Sequence, residues 1–210
     1  MIFKICGLKE KDSILCCEAN HVDFFGLIFY KKSPRNISYK DARELISFAE
    51  ALRIIPVGVF VNQGISDLKD IITYLNLQYI QLHGDENQEY IDEIKKAFGI
   101  KIIKKFSIES QKDLVNVNQI NNIDYFLFDY KPSSGELPGG NSKSFDWNLL
   151  ENAQIKFPWF VSGGINESNI KNIKKTLNPN GIDLSSGVEE SLGKKSNKKI
   201  NNLLRLFYDN

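Results

Sequence analysis

The sequence predicts a small (β/α)8 barrel, an α/β fold in a single domain over residues 1–210, from three observations. Short runs of β-branched and aromatic residues alternate with longer segments of helical period, which is typical of βα units around a parallel sheet. Eight such units can be counted, and about 200 residues is the lower end of the usual size of this barrel. No glycine-rich dinucleotide-binding loop follows the first strand, which argues against an open, doubly wound sheet.

Eight apolar segments are predicted as strands, at residues 2–5, 24–29, 54–61, 79–82, 101–106, 125–128, 159–162 and 182–184. A helix or helical turn follows each of them. The second helix is the clearest, because Ser38 can cap it, Asp41 can complete a capping box and an apolar stripe spans residues 42–52. Gly99 is placed to end the fourth helix in a left-handed conformation. Later helices are predicted at residues 111–117, 147–152, 168–177 and 198–207.

The charge balance argues against several classes of partner. Lys and Arg number 27 and Asp and Glu 26, so a net charge of +1 gives no overall reason to expect binding to nucleic acid or to an anionic membrane. A strand begins directly after Met1 and no apolar stretch is long enough to span a bilayer, so we expect a cytoplasmic protein without a signal peptide. No obligate protein partner is evident from the sequence.

Cysteine and histidine are too few for a disulfide framework or a zinc site. The three cysteines, Cys6, Cys16 and Cys17, are an odd number, and two of them are neighbours. The two histidines, His21 and His83, lie far apart and do not have the spacing of zinc ligands. We therefore expect no metal.

Chemically unusual residues follow several predicted strands, at the edge where barrels of this kind build their sites. Cys6, His83 and Asp129 come directly after strands one, four and six. A carboxylate such as Asp129 at the end of an apolar run is costly to bury without a partner or a purpose. Arg35, in the loop after strand two, can grip a carboxylate or phosphate with its planar fork. Each of these residues also has a structural explanation. Cys6 could be an ordinary core residue and His83 a structural histidine. Asp129 could form a structural salt bridge, and Arg35 could be a solvated loop residue.

The loops after strands seven and eight have the features of a phosphate site. Gly163 and Gly164 allow close approach of the backbone, while Ser185 and Ser186 offer hydroxyl and amide donors and can begin a short extra helix. Each pair taken alone is better explained by an ordinary turn with a serine cap. Because both occur at the two expected positions, we predict that they bind phosphate.

Several motifs, taken together, resemble the phosphoribosylanthranilate isomerase family. They occur in the family's order between residue 4 and about residue 195, which is nearly the whole chain. The motifs are Lys-Ile-Cys-Gly at 4–7, Gly-Leu-Ile-Phe-Tyr-Lys-Lys-Ser-Pro-Arg at 26–35, Gly-Val-Phe-Val-Asn at 58–62, Gln-Leu-His-Gly at 81–84, Phe-Asp-Trp at 145–147, Ser-Gly-Gly at 162–164 and Asp-Leu-Ser-Ser-Gly-Val-Glu at 183–189.

The resemblance implies a cofactor-free Amadori rearrangement in tryptophan biosynthesis. The small-molecule, phosphorylated substrate N-(5-phosphoribosyl)anthranilate would become 1-(2-carboxyphenylamino)-1-deoxyribulose 5-phosphate. Asp129 matches the family's general acid, which protonates the ring oxygen and opens the ring to a Schiff base. Cys6 matches the general base, which removes the C2′ proton. Such groups each typically contribute about 10²–10⁴-fold to a rate.

The resemblance also implies which residues bind the substrate. Arg35 matches the residue that pairs with the anthranilate carboxylate, and Asp183 matches a substrate-positioning carboxylate. We expect His83, at the end of strand four, to contribute to substrate binding as well. Gly164, Ser185 and Ser186 match parts of the family's phosphate cradle, and Gly163 is expected to join them from its place in the same loop.

One departure from the family lies in its glycine-rich stretch, which here reads Gly139-Gly140-Asn141-Ser142. Ser142 replaces a glycine and is expected to restrict access to positive φ. Two alternatives to the isomerase remain on the same fold. One is the related histidine-pathway aminoaldose isomerase, although that reaction usually uses two aspartates and Cys6 argues against it. The other is a non-catalytic barrel that binds a phosphorylated ligand.

Overall fold

The structure, a computed structural model, describes residues 1–133 and 135–209 and confirms the predicted barrel. Eight parallel strands pair in chain order, and β1 pairs with β8 to close the sheet. The strands are β1 Ile2–Cys6, β2 Phe24–Ile28, β3 Ile55–Phe60, β4 Tyr79–Leu82, β5 Lys101–Ile108, β6 Tyr125–Tyr130, β7 Trp159–Val161 and β8 Gly181–Leu184.

Helices lie outside the barrel and cover the outward faces of the strands. They are α1 Lys11–Ala19, α2 Tyr39–Ala49, α3 Ile65–Leu75, α4 Gln88–Phe98, α5 Gln111–Leu114, α6 Ile170–Thr176 and α7 Asn197–Tyr208. In the part of the chain that the structure describes, no helix is long and apolar enough to cross a membrane.

Two predicted helices are shorter or tighter than the sequence indicates. Residues 147–152 form only a 3-10 turn, Trp147–Leu150, which buries Leu150 alone. The predicted helix at 111–117 ends with Leu114 and buries none of its residues. Both segments lack the apolar stripe that stabilises a packed helix, so little burial compensates the entropy of ordering them. A short hairpin of β9 Glu189–Ser191 and β10 Lys194–Lys195 was not predicted.

Side chains point alternately into and out of the barrel along each strand, so the apolar core has two parts. The larger cluster packs between the strands and the helices, and a second cluster fills the lower barrel interior with Phe24, Val57, Ile103, Leu127 and Phe160. Because side chains two residues apart share a face, the interior positions nearer the carboxyl ends carry polar and charged groups on top of this apolar floor. The floor therefore holds the site residues away from bulk water.

The helix ends follow the predicted capping chemistry in most details. The Ser38 hydroxyl accepts the backbone N–H of Asp41 at 3.1 Å. The Asp41 carboxylate accepts from the Ser38 hydroxyl at 2.7 Å, so the reciprocal bond of a full capping box is replaced by a side-chain bond. Gly99 ends α4 with a φ of +61°, and Asn76 ends α3 in the same way with a φ of +50°.

Replacing Gly99 by alanine should lower the free energy of unfolding by about 1 kcal/mol, because a side chain disfavours the left-handed conformation. The site is sterically open, with no atom within 4 Å of an added Cβ, so the effect reports on the backbone alone. Urea unfolding measures it, with Gly99→Asn as the matched control that should retain more of the stability. Equal stability of Gly99→Ala and the wild type would contradict this assignment.

Candidate active site

One pocket at the carboxyl ends of the strands brings together all the site residues that the sequence predicts. Its lining includes residues from the ends of β1, β4, β6 and β8 and from the loops after β2, β6, β7 and β8. The predicted site residues in this lining are Cys6, Arg35, His83, Asp129, Gly163, Gly164, Asp183, Ser185 and Ser186. Their individual roles stay predictions.

Asp129 is the most chemically distinctive group in the pocket. The strand β6 continues two residues beyond its predicted end, to Tyr130, so Asp129 lies within it and the strand directs its side chain to the barrel interior. One carboxyl oxygen accepts the Tyr130 backbone N–H at 2.8 Å. Burial raises the pKa of Asp129 to about 6, against the opposing charge of Lys105. Asp129 is thus able to hold a proton near neutral pH, as a general acid must.

Cys6 ends β1 and is buried against the neighbouring strand. A Cβ at Gly26 would lie 2.7 Å from the Cys6 sulfur, so glycine leaves the space that the thiol occupies. Burial raises the pKa of the thiol above its ordinary value, while the ammonium groups of Lys4 and Lys195 act in the opposite direction. These two lysines are the local source of thiolate stabilisation that a cysteine base requires.

Asp183 and Lys4 form a buried ion pair beside Cys6. Their side chains lie 2.9 Å apart on β8 and β1, at positions that face each other in the register of the two strands. Burial alone would lower the pKa of Lys4, but the Asp183 carboxylate and the Cys6 sulfur raise it above its ordinary value. An ammonium group that stays protonated therefore lies next to the thiol.

Arg35 does use its planar fork on a carboxylate, but that carboxylate belongs to the protein. Its Nε and Nη2 donate to the two oxygens of Glu189 at 2.6 and 2.8 Å. Lys195 also lies 2.7 Å from Glu189, and all three side chains are buried. Only the side of the guanidinium that does not face Glu189 therefore remains for the predicted contact with an anthranilate carboxylate. Sequence reasoning missed Glu189, although it lies in the quoted motif at residues 183–189.

The predicted phosphate end is built mainly from backbone. Gly163 and Gly164 have φ values of +88° and +63°. The Ser185 hydroxyl donates to the Cys6 carbonyl at 3.1 Å, so it already has a protein partner. The short extra helix that was predicted after Ser185 is a single 3-10 turn, Ser186–Val188. Its backbone amides remain as candidate donors, as at other helix-like N-termini in barrels.

The glycine-rich loop folds over the pocket in spite of its departure from the family pattern. Ser142 adopts a φ of +58°, so its side chain does not prevent the turn, although a left-handed residue costs about 1–2 kcal/mol. A Cβ at Gly139 would lie 2.6 Å from Nε2 of His83, and one at Gly140 would lie 2.1 Å from Nη1 of Arg35. Glycine at both positions lets the loop backbone lie this close to the side chains of His83 and Arg35.

His83 is held by protein groups on both sides of its ring. Nδ1 lies 2.7 Å from the side-chain nitrogen of Gln81, and Nε2 lies 3.1 Å from the carbonyl of Pro138. Nε2 is also 3.6 Å from a carboxyl oxygen of Asp129. Burial lowers the pKa of His83 well below its ordinary value, and Lys105 lowers it further. The imidazole is therefore neutral. Gln81, two residues earlier on the same face of β4, was not singled out from the sequence.

Comparisons with known proteins agree on one family. The family model described as N-(5'phosphoribosyl)anthranilate (PRA) isomerase matches residues 3–205. An N-(5'-phosphoribosyl)anthranilate isomerase from Sinorhizobium medicae is 40% identical over 194 residues, 91% of this chain and 90% of that protein. The crystal structure of phosphoribosyl anthranilate isomerase from Thermotoga maritima superposes with a TM-score of 0.88 at 31% identity, covering 99% of this chain and 98% of that chain.

A further solved structure is informative about ligands. It is a phosphoribosyl anthranilate isomerase in complex with reduced 1-(o-carboxyphenylamino)-1-deoxyribulose 5-phosphate. Its TM-score to this chain is 0.85 at 29% identity, and the match covers 99% of this chain and 98% of that chain. The ligand of that relative is a phosphorylated small molecule.

Replacing Asp129 by asparagine should stabilise the fold near pH 7 by up to about 3 kcal/mol. The pKa of Asp129 is raised in the folded state, so its contribution to stability is present at low pH and is lost as the pH rises through about 6. The stabilisation should therefore disappear near pH 4. Urea unfolding across this range measures it.

Asp124→Asn is the matched control with the opposite sign. Burial would raise the pKa of Asp124, but hydrogen bonds from Lys101 and Lys95 hold it below its ordinary value. This variant should lose stability near pH 7 and less so in acid. An Asp129→Asn protein that is no more stable than the wild type at pH 7 would show that the Asp129 pKa is not raised.

Proposed function

This chain belongs to the N-(5'-phosphoribosyl)anthranilate isomerase family, and from that membership we propose how its strand ends carry out the reaction. It is an enzyme of tryptophan biosynthesis that converts N-(5'-phosphoribosyl)anthranilate, an aminoaldose, into the aminoketose 1-(2-carboxyphenylamino)-1-deoxyribulose 5-phosphate. The observation that carries the proposal is the presence, in one pocket, of a buried carboxyl group with a raised pKa and a buried thiol beside an ammonium group.

Asp129 acts as the general acid in the first step. It transfers its proton to the furanose ring oxygen, and the C1′–O bond breaks to give a protonated Schiff base. A carboxyl group with a pKa of about 6 suits this task, because a useful fraction is protonated near neutral pH. The Tyr130 N–H then stabilises the carboxylate that is left behind.

Cys6 acts as the general base in the second step. Its thiolate takes the proton from C2′, and the electron pair moves toward the cationic Schiff-base nitrogen to give an enolamine. A proton from solvent is then added at C1′ while the enol O–H loses its proton, which gives the ketone, and Cys6 and Asp129 exchange protons with solvent to regain their starting states. Lys4 and Lys195 support the thiolate against the effect of burial. Neither proton transfer requires a cofactor or a metal, so the proposed enzyme uses none.

Four groups of contacts hold the substrate in this proposal. Arg35 binds the anthranilate carboxylate with the side of its guanidinium that Glu189 leaves open. Asp183 positions a sugar hydroxyl group, and His83 borders the same part of the pocket. The phosphate is bound by the backbone around Gly163, Gly164, Ser185 and Ser186.

The proposed setting is a single catalytic domain, residues 1–210, that acts on a phosphorylated small molecule. A cysteine base has to stay reduced, and reducing conditions are those of the cytoplasm. We therefore propose a cytoplasmic location. Neither nucleic acid nor a partner protein takes part in the proposed reaction.

Cys6→Ser and Asp129→Asn should each lower kcat by about 10²–10⁴-fold while KM changes little, because the proton transfers are lost and the binding contacts remain. Steady-state assay of the isomerisation measures both constants. Cys16→Ser is the control for loss of a thiol, since Cys16 lies on α1, outside the pocket lining, and should retain full activity. Turnover close to that of the wild type in either site variant would overturn the assigned role.

A further inference from the structure

Gln81 lies fully buried inside the barrel and is hydrogen-bonded to His83. We propose that Gln81 is a positioning residue that acts through His83: it fixes the imidazole in the tautomer with hydrogen on Nε2, so that this N–H faces the general acid Asp129. The inference concerns the tautomer first, which is independent of the activity. Its catalytic consequence rests on the function proposed above.

The partners of the two ring nitrogens decide the tautomer. Nε2 lies 3.1 Å from the carbonyl oxygen of Pro138, and a carbonyl can only accept a hydrogen bond, so Nε2 carries hydrogen. A neutral imidazole then has a bare Nδ1, which must accept. The side-chain nitrogen of Gln81 lies 2.7 Å from Nδ1 and is a donor. Both contacts therefore require the same tautomer, and together they direct the side-chain nitrogen of Gln81 toward Nδ1.

The surroundings of His83 keep the ring neutral. It is buried, and the ammonium groups of Lys105, Lys4 and Lys104 all oppose a second proton on the ring. The carboxyl group of Asp129 is the acidic partner that faces it. A neutral imidazole has one donor nitrogen and one acceptor nitrogen, and Gln81 determines which nitrogen is the donor.

The donor nitrogen faces both the acid and the loop over the pocket. Nε2 is 3.6 Å from an oxygen of Asp129, just beyond hydrogen-bonding distance. When Asp129 gives its proton to the substrate, the resulting carboxylate becomes a strong acceptor, and the Nε2–H is in place to stabilise it. The bond to Pro138 meanwhile holds the loop next to Gly139 against the ring.

The other tautomer would have the opposite effect. A bare Nε2 would accept the proton of Asp129 and withhold it from the ring oxygen of the substrate. It would also face the Pro138 carbonyl, lone pair against lone pair. The position of the hydrogen on His83 thus decides whether the general acid can deliver its proton.

Gln81 carries a cost that a merely structural residue would avoid. Its side-chain oxygen is buried and has no hydrogen-bond partner in the described chain. An apolar side chain of similar size would fill the same space without an unpaired acceptor. What glutamine adds at this position is the donor to Nδ1.

Nitrogen-15 NMR of the wild-type protein tests the tautomer directly. The chain has only two histidines, so comparison with the spectrum of the His83→Gln variant assigns the ring signals of His83 and of His21. We expect hydrogen on Nε2 and a bare Nδ1 near neutral pH. Hydrogen on Nδ1 in the wild type would overturn the proposal, whatever the protein's activity.

Gln81→Glu tests the catalytic consequence. An ionised carboxylate at residue 81 can only accept, so Nδ1 gains hydrogen when the new side chain is ionised, either as the other tautomer or as imidazolium. In the first case Nε2 takes the Asp129 proton, and in the second the positive ring keeps Asp129 ionised. We expect kcat to fall by about 10–100-fold, a part of the general-acid contribution, with KM within about threefold. A shifted Nδ1 signal with unchanged kcat would contradict the catalytic role.

Two further variants separate positioning from structure. Tyr79→Phe changes the residue two places earlier on the same face of β4 and should alter neither the Nδ1 signal nor kcat. In a His83→Gln background there is no tautomer to select, so Gln81→Met should cause no further loss of kcat. If Gln81→Met lowers kcat equally in both backgrounds, Gln81 does not act through His83.

Discussion

The buried ion pair between Lys4 and Asp183 is the interaction on which the rest of the site depends. It joins β1 to β8, where the barrel closes, with 2.9 Å between the charged groups. Removing one partner of such a pair typically costs about 3–5 kcal/mol, because the other charge is left buried and alone. The same ammonium group supports the Cys6 thiolate, so closure of the barrel and basicity of the thiol have a common origin.

A second buried network ties the substrate-binding loops to the barrel. Glu189, in the β9–β10 hairpin, accepts from both Arg35 and Lys195. Arg35 in turn donates to the carbonyl of Gly140 at 3.3 Å. The loops after β2, β6 and β8 therefore meet at one guanidinium group, and its orientation is set before a substrate carboxylate arrives. Such preorganisation reduces the cost of ordering on binding.

The barrel and the acid and base candidates could be predicted because their signals are local. Asp129 interrupts an apolar strand, and Cys6 ends one, so each is visible within a few residues. The Arg35–Glu189 pair and the His83–Pro138 contact join residues that are distant in sequence, and only the folded barrel brings them together. Residues 147–152 form only a 3-10 turn and no longer helix, because no apolar stripe supports one.

The central claim is that the barrel holds Asp129 as an acid that can be protonated near neutral pH. Carbon-13 NMR of the labelled Asp side chains, compared with the Asp129→Asn protein, measures this directly. The account predicts one carboxyl signal, missing in the variant, that titrates with a midpoint of about 6. A midpoint for Asp129 at or below the ordinary aspartate value of about 3.9 would contradict it.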